Sequence, residues 1–165
     1  MKNEGFTITD DLQASQLQRF LNLIIDLLFI YILVLSLGTT IILVALSVGN
    51  FELSNWVENL SIVEIGFYTA IVSFLYYYST EVYFSRTIAK LLTHTIVVNA
   101  DGTKPSKRSV FIRSCCRFIP FEAFTFLRKN GLGLHDVYSK TFVVRKAKLE
   151  NNKKEFLKIQ EISNS

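Results

Sequence analysis

The chain has 165 residues, enough for one domain, with 50% hydrophobic residues, a mean hydropathy of +0.31 and a formal net charge of +4. Its two cysteines, Cys115 and Cys116, are adjacent and make no disulfide framework; with only His94 and His135 beside them they fit no zinc spacing and read as two buried thiols. The charge comes without an arginine-rich or aromatic recognition motif, which argues against nucleic acid. The lack of a nucleophile–base pairing, phosphate loop or metal spacing argues against an enzyme, and no cofactor is expected.

Residues 1–14 form a polar lead-in, with a short turn at Asp10 and Asp11. Three acids precede residue 20 and the apolar run after them is too long for an h-region, so no signal peptide is expected. Ser15 and Gln18 have the spacing of a capping box and set a helix start. From Phe20 to Val48 the chain runs 29 residues with one charge, Asp26. About 20 apolar residues cross a bilayer, so this is a transmembrane candidate. If straight it would extend about 43 Å, which demands tilt or an exposed end, and Gly38-Thr39-Thr40 is the place for a kink. Ser15, Arg19, Asn22 and Asp26 share one helical face. An Asp at the centre of a membrane helix costs about 2.5 to 3.5 kcal/mol, less near the edge, so Asp26 needs a reason. It is a packing acid paired with an arginine or tyrosine, a proton or cation site, or a side chain at a wet edge.

Gly49 to Ser61 carries two acids and no base and reads as a short loop outside the cytoplasm. Ile62 to Phe84 is the second crossing, with Gly66, Ala70 and Ser73 as a small-residue face for close helix approach. Tyr76, Tyr77, Tyr78 and Tyr83 sit where interfacial aromatics are expected. Matching depths in an antiparallel hairpin predict the pairs Asp26–Tyr77 and Arg19–Glu81. All 18 lysines and arginines lie before Phe20 or after Phe84, which by the positive-inside rule puts both termini in the cytoplasm.

Ser85 to Thr95 returns the chain through Arg86 and Lys90. The β-branched runs at Thr95–Val98 and Thr141–Val144 are candidates to pair as strands. Ser109 to Leu127 is apolar and aromatic but holds Arg113, Arg117, Pro120 and Glu122. It reads as an amphipathic or re-entrant helix with its bases at the headgroups, a third crossing being the alternative. Asp136 caps the next segment or meets one of the arginines. Residues 146–165 are a charged helical tail.

The fold class is therefore an α-helical membrane protein. It is a two-helix transmembrane hairpin plus an amphipathic or re-entrant third helix and a small cytoplasmic β element, with the membrane domain at 15–145. Several stretches together resemble the RDD family of bacterial membrane proteins, named for one arginine and two aspartates. ASQLQRFLNLIID supplies Arg19 and Asp26, SRTIAKLLTHTIVVNADGTKPS and RSVFIRSCCRFIPFEAF match later family features, and Asp136 in HDVYSKTFVV matches the second aspartate. Ser85 and Ala89 stand where the family has glycines, so a turn needing positive φ there would be altered. The resemblance implies a multi-pass inner-membrane protein for which transport of ions or other ligands has been proposed. The candidate ion-binding or structural network is Arg19, Asn22, Asp26, Tyr77, Glu81, Arg113, Arg117 and Asp136.

Two functions are compatible with these features. One is an oligomeric transport or ion-exchange component with Asp26 as its titrating group, since two crossings cannot enclose a pathway. The other is a non-transporting adaptor or assembly factor whose basic cytoplasmic face binds a partner or anionic lipid. Expected partners are the lipid bilayer and a second copy or another membrane protein.

Overall fold

The computed structural model describes residues 6–119 and 133–164. Helix α1 runs from Gln16 to Ser47. Its start is the expected capping box: Ser15 Oγ accepts from Gln18 N at 3.2 Å, and Gln18 Oε1 accepts from Ser15 N at 3.0 Å. The Gly38-Thr39-Thr40 step does not interrupt it, and the Thr40 hydroxyl donates back to the Ser36 carbonyl at 2.7 Å. The segment Gly49–Ser61 is more ordered than a loop. It holds α2, Phe51–Glu58, whose cap Asn50 accepts from Leu53 N at 3.1 Å. The Asn50 cap is the signal that the loop reading passed over.

Helix α3 spans Ile62–Phe84, as predicted, and opens on a second capping box between Ser61 and Glu64. It ends at Ser85, which takes φ 56° and donates its N–H to the Glu81 carbonyl at 3.0 Å. The left-handed turn is thus kept with a serine, at a cost of about 1 kcal/mol or more for a residue with a Cβ. The helices do not close on the Gly66 face: a Cβ at Gly66 would meet nothing within 4 Å. They meet nearer the sheet, where Ile30, Phe29 and Val34 pack on Tyr76 and Tyr77.

The polarity of α1 is inverted relative to a helix of a soluble protein. Its buried residues are Arg19, Asn22, Asp26, Ile30 and Ala45, while Leu27, Leu28, Tyr31, Ile32 and Leu43 are exposed. In α3 likewise, Tyr76, Tyr77 and Glu81 are buried while Ile62, Val63 and Phe67 face outward. Both helices are long and apolar enough to cross a membrane.

Helix α4 (Ile88–Leu92) leads into β1 (Thr95–Asn99), which pairs antiparallel with β2 (Thr141–Arg145), Val97 opposite Val143. The lead-in is more than a polar arm. Ala14 N donates to the Val143 carbonyl at 2.9 Å and Ile8 N to the Ala100 carbonyl at 2.9 Å, so residues 8–14 edge the sheet. Leu12, Val98, Val144 and Leu149 form a small core, with Phe6 packed against it.

Helix α5 (Lys107–Cys116) has ten residues, about 15 Å, too short to cross a bilayer. The rest of the predicted 109–127 helix, from Pro120 on, lies outside the described residues. Within α5 the headgroup expectation fails for Arg113, which points inward and is fully buried. The two thiols are not both buried either: Cys115 is exposed and Cys116 half-buried. Helix α6 (Leu134–Ser139) precedes β2, and α7 (Lys146–Asn164) is the charged terminal helix.

Candidate functional site

The buried polar residues of α1 and α3 converge with α4, α5, α6 and the start of the sheet. Three carboxylates organise the cluster. Asp26 is 1% exposed. Its Oδ1 accepts from the Tyr76 hydroxyl at 2.7 Å and from Ala89 N at 3.3 Å, and its Oδ2 accepts from the Thr87 hydroxyl at 2.8 Å. Tyr76 in turn accepts from Ile88 N at 3.1 Å. Asp26 thereby holds the first turn of α4, where free N–H groups favour an acid. Ala89, fully buried, brings its backbone up to that carboxylate and takes no positive φ.

The predicted partner of Asp26, Tyr77, is buried but engaged elsewhere. Its ring lies 4.0 Å beneath the Arg117 guanidinium carbon, a cation–π contact, and beside Tyr76. Depth counting finds the right height along a helix but not its azimuth, and successive residues differ by about 100°.

Glu81 does not pair with Arg19. Its Oε1 accepts from Lys90 Nζ at 3.1 Å and from Arg117 Nη2 at 3.1 Å. Its Oε2 lies 2.9 Å from Arg113 Nε, an ion pair bent too far for a hydrogen bond. Arg19 reaches instead to Asp136 Oδ2, and Arg113 Nη1 takes Asp136 Oδ1. Arg113 Nη1 also donates to Thr141 Oγ1 at 3.0 Å, and His135 Nε2 stands 3.4 Å from Asp136. Arg113 is the hub, tying α3 to α6 and the sheet with one planar group whose donors point several ways. Burial alone would raise the Asp136 carboxyl; the charges of Arg113, His135 and Arg19 outweigh it and hold the group well below the usual carboxylate range.

Asn22 closes the cluster on the sheet side: its Nδ2 donates to Thr95 Oγ1 at 3.2 Å and its Oδ1 accepts from the Thr93 hydroxyl at 2.5 Å. All eight predicted network residues are thus brought together, though with exchanged partners. Tyr76, Thr87, Lys90, Thr93, Thr95 and Thr141 are the members that sequence reasoning missed. Thr87 and Lys90 stand inside a stretch already singled out, SRTIAKLLTHT, but a lysine just past a membrane segment reads first as a topology signal.

Among the described residues, no group of three His, Cys, Asp or Glu side chains could hold a metal ion. Each carboxylate already has internal partners, so the chemistry open to the cluster is charge placement and proton exchange.

Two helices of membrane-crossing length, joined to a small mixed head through buried ion pairs, point to a membrane protein. The RDD family model matches residues 13–145, most of the chain, and the chain belongs to that family. The match takes in all eight predicted network residues. No curated protein and no solved structure gives a significant match.

Proposed function

We propose that the protein is a non-transporting, two-span anchor of the bacterial inner membrane, with both termini cytoplasmic, that carries a basic head as an adaptor or assembly surface. The observation that carries this reading is that all three buried acids are occupied: Asp26 by three neutral donors, Glu81 by Lys90, Arg113 and Arg117, and Asp136 by Arg19 and Arg113. A cation in transit needs carboxylates it can reach and displace partners from, whereas these three are buried and already face internal donors or cations. Further along the helices, α1, α2 and α3 bound a mainly apolar cavity of about 520 Å³ lined by Val34, Thr39, Ile42, Trp56, Tyr68 and Val72. That lining carries no charged side chain.

All but Lys2 and Arg19 of the 18 basic residues come after Phe84, so the head suits a partner surface carrying negative charge, lipid headgroups included. Oligomeric ion exchange at Asp26 is the competing reading, and what favours it is that the donors to Asp26 among the described residues are neutral. Proton and cation flux in proteoliposomes separates the two. The anchor reading expects no flux above empty vesicles and a loss of stability in Asp26→Asn. Flux that Asp26→Asn abolishes, in a variant as stable as the native chain, would overturn it.

A further inference from the structure

The chain that leaves α3 does not drop away from it. Lys104 Nζ donates to the Tyr83 carbonyl at 3.0 Å, so residue 104 lies level with the end of α3. From there α5 climbs back. The Phe111 ring meets Phe74 at 5.7 Å between centroids and Tyr78 at 6.2 Å, and Phe118 meets Phe74 at 6.5 Å. Phe74 stands about 15 Å along the axis from Phe84, where α3 ends. The 23 residues of α3 extend about 34 Å, against a hydrocarbon core of about 30 Å, so the two rings reach into the inner half of that core. Helix α4 returns in the same way: Ile88 packs on Ile30, Tyr76 and Tyr77, and Ala89 N donates to Asp26.

Helix α5 is inside out for a helix on a water-bathed head. Val110, Arg113 and Ser114 are buried. Phe111 and Cys115, with Phe118 just past the helix end, share another side, and that side is open: Phe111 is 50% exposed, Phe118 45%, and Cys115 is exposed. Through Phe74 and Tyr78 this stripe continues onto the outward side of α3, where Ile71 and Leu75 are exposed. On α4, Leu91 and Leu92 are exposed as well. A continuous apolar surface of this kind marks a contact with another apolar body. The bases keep to a different level: Lys104, Lys107 and Arg108, all exposed, come before the stripe, near the end of α3 where headgroups begin.

We propose that the head is sunk into the cytoplasmic leaflet, with lipid acyl chains as the partner of the Phe111–Cys115–Phe118 stripe and of Leu91 and Leu92. The inference rests on the two-span reading, since continuity with a helix of membrane-crossing length is what names the occupant. It moves the joint between Glu81 and Arg113 from beneath the bilayer to within its inner leaflet. Charges at that depth pair with one another, as the fully buried Glu81 and Arg113 do. Helix α5 then covers them, rings toward the lipid and guanidinium toward the carboxylate, and lies in the leaflet as amphipathic helices do.

The test places a nitroxide on the native Cys115 of a full-length Cys116→Ser chain in vesicles of phosphatidylethanolamine and phosphatidylglycerol. Its collisions are measured with oxygen, which concentrates among acyl chains, and with a water-soluble nickel chelate. Reference labels at Ile32→Cys in α1 and Lys154→Cys in α7 are made in chains with both native cysteines changed to serine. The oxygen-to-nickel collision ratio at Cys115 should approach that at Ile32 and exceed that at Lys154 severalfold. A ratio equal to that at Lys154, with the Ile32 label among acyl chains, overturns this proposal alone. A water-exposed Ile32 label overturns the two-span reading and this proposal with it. A Cys115 label shielded from both reagents means that protein covers the stripe, a second copy or another part of the chain, and the proposal fails. Tryptophan fluorescence gives an independent arm: Phe118→Trp in a Trp56→Phe chain should be quenched by lipids brominated on their acyl chains. Quenching by aqueous acrylamide in place of the brominated lipids would contradict the proposal.

Discussion

Tyr76 donates its hydroxyl proton to Asp26 across 2.7 Å, joining the two apolar helices at the end where they meet the head. The same oxygen accepts from Ile88 N, so one phenol connects α1, α3 and α4. Tyr76→Phe should therefore lower stability by about 1–3 kcal/mol, because it strands the Ile88 backbone donor and leaves the buried Asp26 Oδ1 with Ala89 N as its remaining donor. Thermal unfolding of the variant and the native chain in the same detergent checks this, and an unchanged melting temperature would contradict the assignment.

Arg113 should be the most sensitive single position. Removing it leaves Glu81 and Asp136 each short of a cation in a buried place, at a cost of about 3–5 kcal/mol. Arg113→Met should fail to accumulate or melt far below the native chain. Arg113→Lys should not rescue it, since one ammonium cannot reach both carboxylates as the fork does. Expression level and melting temperature decide, and a near-native Arg113→Lys would show that charge suffices without geometry.

Asp136 gives the acid side of the stability profile. Its folded carboxyl titrates well below its unfolded value near 4, so below that the unfolded chain binds more protons than the folded one. Its contribution is complete above that range and disappears as pH falls toward the folded value. In Asp136→Asn this part of the acid decline should be missing, and the variant should be less stable at pH 7. Melting curves from pH 3 to 7 measure both effects.

Gly102 has φ +72°, and a Cβ there would come 2.8 Å from Phe6 Cε1 and 2.9 Å from Lys153 Cε. Gly102→Ala should cost about 1–2 kcal/mol from the backbone alone, and more once Phe6 is displaced from the small core. Faster amide exchange at Ile8, whose N–H bonds to the Ala100 carbonyl, would report the loosened lead-in.

Topology is checked with single cysteines in a chain whose Cys115 and Cys116 are replaced by serine. Asn55→Cys should label from outside the cell and Lys104→Cys should not. The reverse pattern would invert the orientation inferred from the absence of Lys and Arg between residues 20 and 85.

Length and hydropathy made both apolar helices legible, α3 to the residue, because a bilayer imposes a length that composition reports directly. The strand pair was legible from Thr95–Val98 and Thr141–Val144 because β-branched runs are a local signal. Membership of the polar network could be read, since a charge in or beside an apolar run demands a reason. Its wiring could not. Whether Asp26 meets Tyr76 or Tyr77, and Arg19 meets Glu81 or Asp136, depends on helix rotation and on where α6 returns, which no local pattern encodes. Lys90 reads as a topology signal and not as a network member because an exposed and a buried lysine look the same in a sequence.

The bond between Arg19 and Asp136 spans 117 residues. At a synthesis rate of about 5–20 residues per second, Arg19 waits on the order of ten seconds for its partner to exist. Through that interval it is a free cation flanking an apolar segment, the kind of charge that decides which way a helix enters a bilayer. One guanidinium thus serves twice, first as a signpost during insertion and afterwards as the fastening that closes the finished chain on its own first helix.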